Sequence, residues 1–288
     1  EGAAKTLALV LMLSIGFKGG VEAARAGLSP DFLKAAGLGL TLSFGVPVLA
    51  FAALRLISSL DRTTAAATAA HYGSVSIVTF VAGTEFLRVS GVPFGGYMVA
   101  VVALMETPAI LSALILAGGG AAGRQGLRGE LFREVALNGS VVLLIGAFAV
   151  GLLTGDAGMA KMEVFVGPVF QGVLVLFLLD MGLVAARRLS AARSLTLPLV
   201  AFALVMPLVS SALALTLALL LGLSPGNAAV LSILAASASY IAVPAAMRIA
   251  LPDADPGVYL TLSLAVTFPF NLVFGVPLYT AAAQALIG

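Results

Sequence analysis

Seven residues of this chain place polar chemistry where it is costly. Ser74, Ser76 and Thr79 form one hydroxyl cluster, Ser237, Ser239 and Tyr240 form a second, and Glu106 stands alone in Leu104-Met105-Glu106-Thr107-Pro108. Both clusters interrupt apolar sequence, and no Asp, Glu, Lys or Arg occurs between Arg193 and Arg248. Hydroxyl groups beside the free N–H groups of an interrupted helix suit a small anion. Hydroxyl and carbonyl oxygens together suit a hard cation such as sodium. A carboxyl group within a hydrophobic span is expensive and usually functional. Glu106 could coordinate a cation, carry a proton, or cap backbone freed by Pro108. Serine at a membrane helix contact also has a plainer use as a close-packing residue.

These residues need membrane helices to hold them. The 288 residues are 61% hydrophobic and 10% charged, with a mean hydropathy of +1.14, which is the composition of an integral membrane protein. At ~20 residues per crossing of a ~30 Å hydrocarbon layer, nine spans are expected, over 4–24, 35–58, 65–88, 95–118, 135–154, 164–186, 196–222, 227–250 and 258–286. Pro244, Pro108 and Pro269 lie within three of them and are expected to break their helices, because proline lacks the N–H and clashes with the preceding turn. Lipid cannot satisfy the carbonyls so freed, so a break must be enclosed by protein or border a water-filled cavity.

Ten Lys and Arg fall on one side of this arrangement (Lys5, Arg55, Arg62, Arg124, Arg128, Arg133, Arg187, Arg188, Arg193, Arg248) and four on the other (Arg25, Lys34, Arg88, Lys161). The bias puts the 119–134 linker in the cytoplasm of a multi-pass protein of the inner (plasma) membrane. The net charge of +2 is topology signal and not a nucleic-acid footprint.

The linker separates two halves that resemble each other. Gly20-Val-Glu-Ala-Ala-Arg25 reads against Gly182-Leu-Val-Ala-Ala-Arg187, and Tyr97 against Tyr259, both at an offset of 162; Pro47 and Pro207 are 160 apart, and Pro108 and Pro269 are 161 apart. The chain therefore divides into a first repeat (1–118, four visible spans), the linker, and a second repeat (135–288, five spans). The unequal count suggests a further span upstream of residue 1. Five spans per copy would invert one copy against the other, as in secondary transporters. At an offset of 164 the two hydroxyl clusters fall opposite one another, so inverted half-helices would meet near the bilayer midplane.

Other polar residues read as structural: Glu85 and Arg88 as an interfacial ion pair, Lys18 and Asp180 as corresponding positions, and His71 as a packing residue. With no cysteine and one histidine, thiolate metal sites, zinc motifs and a serine–histidine triad are excluded, and no phosphate-binding glycine loop is present. An enzyme is not expected, and neither is a cofactor or a metal beyond sodium.

The whole chain resembles the sodium-dependent bicarbonate transporter family of the cyanobacterial type. Leu234-Ala-Ala-Ser-Ala-Ser239, Pro244, Met247-Arg248, Pro252, Asp255-Pro256, Tyr259, Pro269 and Val276-Pro277-Leu278 fall in its register, and Gly73-Ser-Val-Ser76 and Met105-Glu-Thr-Pro-Ala109 match its first-repeat signatures. The resemblance implies an all-α fold of two inverted five-helix repeats, broken helices at the repeat interface, a homotrimer, and sodium-bicarbonate symport by an elevator mechanism. It assigns the substrate to Ser74, Ser76, Thr79, Ser237, Ser239 and Tyr240, and ion coupling to Glu106, Ser76 and Thr267. It also implies a soluble regulatory partner, for which the short linker offers little surface. The member is divergent. Tyr240 stands at an aspartate position, Ala242-Val243 replace Ser-Gly, Ile77-Val78 occupy a Gly-Ser position, and Glu106 stands where the family has aspartate. Two alternatives stay open: transport of another small anion or metabolite, proton-coupled through Glu106, and a non-transporting scaffold or sensor that kept the fold.

Overall fold

The computed structural model describes residues 2–26, 29–118, 139–191 and 195–288; the expected linker at 119–134 lies outside them. All regular structure among these residues is helical. In chain order the elements are α1 (Gly2–Ala26), α2 (Pro30–Ile57), α3 (Arg62–Gly73), α4 (Ile77–Val89), α5 (Met98–Leu116), α6 (Gly139–Val164), a π turn at Phe165–Val169, α7 (Phe170–Ala191), α8 (Leu197–Leu220), α9 (Pro225–Ala236), α10 (Ala242–Ala250) and α11 (Pro256–Ile287). Six helical stretches among the described residues are long and apolar enough to cross a membrane.

Local chemistry sets the boundaries. Ser29 and Asp61 cap α2 and α3, their side chains accepting the N–H groups of Phe32 and Thr64. Gly91 (φ 70°) follows α4 and allows Val92 N–H to reach back to Leu87 O at 2.9 Å, closing the helix end. The sequence places a loop between the fifth and sixth spans, but α6 turns at a single residue. Gly155 takes φ 53° and ψ −141°, open only to glycine, and the next helical residue, Asp156, pairs with Arg25 at 2.5 Å.

α3 and α4 read as one span in the sequence but are two half-helices separated at residues 74–76, and α9 and α10 are likewise separated at 237–241. The first half-helix of each pair is enclosed. Every residue of α9 from Gly226 to Ala236 is buried, as is every residue of α3 from Thr64 to Gly73. The large exposed apolar side chains (Phe44, Leu56, Leu153, Leu179, Val205 and Phe274 among them) lie on the surrounding helices, the surface a bilayer would cover.

The proline expectation needs correction at all three positions. α5 runs through Pro108 without a break, and α11 runs through Pro269, its turns widened to π over Thr261–Thr267 and Asn271–Gly275. Pro244 lies in the first turn of α10, beyond the actual break, where a missing N–H costs nothing. Near Pro108, Pro47 and Pro207 a neighbouring helix supplies hydrogen bonds from outside. Near Pro108 and Pro47, α5 and α2 exchange hydroxyl donors, Ser43 Oγ to Met105 O at 2.5 Å and Ser112 Oγ to Phe44 O at 3.1 Å. Ala203, four residues before Pro207, has its freed carbonyl met by Thr267 Oγ1 at 2.7 Å.

α1 packs most extensively on α6. Their backbones touch through glycine: a Cβ on Gly20 would collide with Phe148 O, and one on Gly151 with Phe17 O. Gly151→Val is therefore expected to lower stability by about 1–3 kcal/mol through overpacking. The check is the thermal midpoint of the detergent-solubilised protein, with Gly146→Val, where a Cβ meets nothing within 4 Å, as the neutral comparison.

Candidate functional site

The two interruptions cross each other, and each supplies what the other lacks. A helix ends with unpaired carbonyls and begins with unpaired N–H groups. At the crossing, Ser239 N–H donates to His71 O, in the last turn of α3, at 2.8 Å. His71 Nδ1 lies 2.5 Å from Ser239 O. A carbonyl there can only accept, so Nδ1 carries the proton and the ring is held in one tautomer. In the other direction, Ser76 N–H donates to Ser237 Oγ at 2.9 Å, and Ser237 Oγ donates to Leu234 O at 2.8 Å. Asn271 of α11 completes the end of α9, its Nδ2 donating to Ala236 O at 2.8 Å while its Oδ1 accepts from Tyr279 Oη at 2.9 Å.

Corresponding positions differ slightly from the sequence alignment. Ser74 and Ser237 are the equivalent C-caps, both extended, each following a half-helix of 12 residues. Their separation is 163, one less than the 164 expected. The second interruption is also longer, so α4 begins with a capped N-terminus (Thr79 N–H to Ser76 Oγ, 3.2 Å) whereas the N-cap of α10, Ile241, offers no side-chain hydrogen bond.

A cavity of about 10 Å³, the threshold for one water molecule, lies at this crossing. Ser76, Glu106, Ser239, Tyr240 and Ala242 line it, with Ile77 among its apolar walls. Glu106 is 2% exposed, and its Oε2 has no hydrogen-bond partner. Ser74 Oγ, Tyr240 Oη and His71 Nε2 are the other buried side-chain atoms without a partner among the described residues. The Tyr240 hydroxyl faces Ser76 without forming a well-aligned bond, and its ring packs edge-on to Phe268 at 5.3 Å. Among the described residues no basic side chain lines the cavity.

The structure thus brings Ser76, Ser239, Tyr240 and Glu106 together around one space. Ser74 adjoins as a free C-cap hydroxyl. Ser237 is spent on the crossing itself, and Thr79 contributes its N–H to the cap of α4. Thr267, expected with the coupling group, does not line the cavity. Its hydroxyl serves the carbonyl freed by Pro207 and meets Tyr72 Oη at 2.8 Å. His71 packs as expected, stacked on Tyr259 at 4.6 Å between ring centroids, but it also locks the crossing. Asn271 had no sequence signal beyond being an amide in an apolar span.

Two interrupted helices that cross around a small cavity with a buried carboxyl group are the arrangement expected of a multi-pass membrane transporter. The family model of the Na+-dependent bicarbonate transporter superfamily matches residues 1–284, and the chain belongs to that superfamily. Comparison with the curated proteins gives no match.

Replacing Asn271 with Ala strands Ala236 O and Tyr279 Oη in the buried interior. A loss of about 1–3 kcal/mol is expected from such unpaired groups, read as a lowered thermal midpoint. Asn271→Asp, which keeps only the acceptor side, should be no better. An unchanged midpoint in both would show that the amide does not hold the end of α9.

Proposed function

We propose that the protein is a secondary active transporter of a small anion, with bicarbonate the substrate that family membership favours. In this reading Ser74, Ser76, Thr79, Ser239 and Tyr240 surround the anion, with Ser237 fixing the backbone that presents it. The two interrupted helices belong to inverted repeats, and the four-helix core around them moves as an elevator within a homotrimer. The 119–134 linker is cytoplasmic. The element order supports the repeat: two 12-residue half-helices, each ended by an extended serine, occupy equivalent places on either side of the linker.

One observation carries the coupling. Glu106 is buried with an unpartnered carboxyl oxygen, and no cationic side chain lines its cavity among the described residues. A buried carboxylate without a counter-charge is strongly disfavoured. The neutralising charge must then come from solution, as a sodium ion or a proton, and this links cation binding to occupancy of the adjoining anion site. Sodium follows from the family. The proton is a second reading, favoured here by Tyr240 at the aspartate position and by a cavity no larger than one water molecule. A scaffold that lost its ligands has no comparable use for a buried unpaired carboxyl.

Radiolabelled bicarbonate uptake into proteoliposomes tests this, with carbon dioxide permeation subtracted using protein-free vesicles. Uptake is expected to follow an inward sodium gradient, and Glu106→Gln, which removes the charge but keeps the size, should reduce it to the protein-free level. Uptake driven by a proton gradient in sodium-free buffer would select the proton. No bicarbonate uptake under either gradient, from protein shown to be folded, would sink the bicarbonate reading.

A further inference from the structure

A second and larger cavity, about 90 Å³, lies between α1 and α4, closed on one side by Phe170 at the start of α7. Lys18 and Glu22 reach it from α1, and Phe80, Thr84, Glu85 and Arg88 from α4. Its charges are unevenly used. Glu85 and Arg88 pair with each other through two contacts, at 2.8 and 2.5 Å. Lys18 and Glu22, one helical turn apart on the same face, form no ion pair within 4 Å among the described residues. The Lys18 ammonium instead stands 5.7 Å over the Phe170 ring. Glu22 is the outer of the two and solvent-exposed; Lys18 is half-buried, one turn deeper. The Glu22 carboxylate lies over Gly96, where any Cβ would displace it.

An ammonium and a carboxylate that face one space without closing on each other match a ligand with both an anionic end and a hydrogen-bond donor. Bicarbonate is such a ligand, because its charged oxygens accept from Lys18 and its single O–H donates to Glu22. Nitrate has the same shape and charge but no O–H, so it would leave the Glu22 carboxylate facing a second anion. The mouth lies at the Arg25 and Arg88 side, which carries fewer basic residues and is therefore read as extracytoplasmic.

The two cavities share one face of α4. Ser76, Phe80, Thr84 and Arg88 recur every four residues and so stand on one stripe, about 18 Å long at 1.5 Å per residue. Ser76 lines the inner cavity, and the other three line the outer one. Phe80, 1% exposed, is the side chain of this stripe that stands between them.

We propose that the Lys18–Glu22 cavity is an outer capture site for a proton-bearing oxyanion, which selects it before it passes Phe80 to the crossing. This rests on the transport reading above. The test is equilibrium binding of radiolabelled bicarbonate to the protein in lipid nanodiscs, with nitrate as competitor. The Glu106→Gln protein, altered only at the inner cavity, should still bind bicarbonate. Adding Lys18→Gln should weaken that binding roughly tenfold or more, the scale of a hydrogen bond to a charged group, while Lys18→Arg retains it. Nitrate should displace bicarbonate poorly from the Glu106→Gln protein and better once Glu22→Gln is added. Equal binding with and without Lys18→Gln overturns the capture site, as does nitrate competition that Glu22→Gln leaves unchanged. Loss of all binding on Glu106→Gln alone overturns this site and leaves the transport reading standing; no bicarbonate binding by any form, wild type included, removes both.

Discussion

The structure depends on the exchange of hydrogen bonds between two interrupted helices. In hydrocarbon an unpaired backbone group has no water to turn to, and each one costs several kcal/mol. Interrupting one helix exposes carbonyls on one side and N–H groups on the other. Here the His71 carbonyl takes the Ser239 N–H, the Ser239 carbonyl takes the His71 ring, and the Ser76 N–H takes the Ser237 hydroxyl. Neither interruption is satisfied without the other, so α3–α4 and α9–α10 are tied together as a single body. Any motion that carries the cavity through the membrane must carry all four half-helices.

The same constraint explains where most of the polar residues went. Ser43, Ser112 and Thr267 look like candidate ligands in a hydrophobic sequence, yet each hydroxyl is directed at a backbone carbonyl near a proline of a neighbouring helix. Asn271 does similar work at the end of α9. Once these structural obligations are met, few buried polar side-chain atoms are left over among the described residues: Glu106 Oε2, Ser74 Oγ, Tyr240 Oη and His71 Nε2. All belong to the crossing or to the cavity beside it. A site found by what the fold does not need is better supported than one found by hydroxyl content alone.

This also marks what the sequence could and could not reveal. The helical, membrane-spanning character was legible because a long apolar run has one solution in a bilayer; nine crossings were expected, and six stretches among the described residues have the length and apolarity for one. Both interruptions were legible because small hydroxyl residues replace apolar ones at Ser74–Ser76 and Ser237–Ser239. The prolines misled. Loss of an N–H is visible in sequence, but a hydroxyl arriving from another helix is not, as Ser43 arrives at Met105 O beside Pro108 and Thr267 at the carbonyl freed by Pro207. Thr267 was misassigned for the same reason, since its obligation to Ala203 is set by the packing of α11 on α8. The Lys18 cavity was out of reach because its two walls are far apart in the chain, brought together only when α1 lies against α4.

Tyr240 is where the divergence of this chain has a physical consequence. An aspartate at that position would put a second carboxyl group beside Glu106, and two carboxylates in one dry space cannot both stay ionised without a cation or a shared proton between them. A tyrosine hydroxyl is neutral, and the Tyr240 ring packs against Phe268 beside the cavity. The space left is that of a single water molecule, lined by one carboxyl group. One charge needs one counter-charge, which a proton supplies without occupying any volume at all, whereas sodium must find its oxygen ligands among Glu106, Ser76, Tyr240 and nearby carbonyls. The exchange of an acid for a phenol therefore lowers both the charge and the room available to the coupling ion.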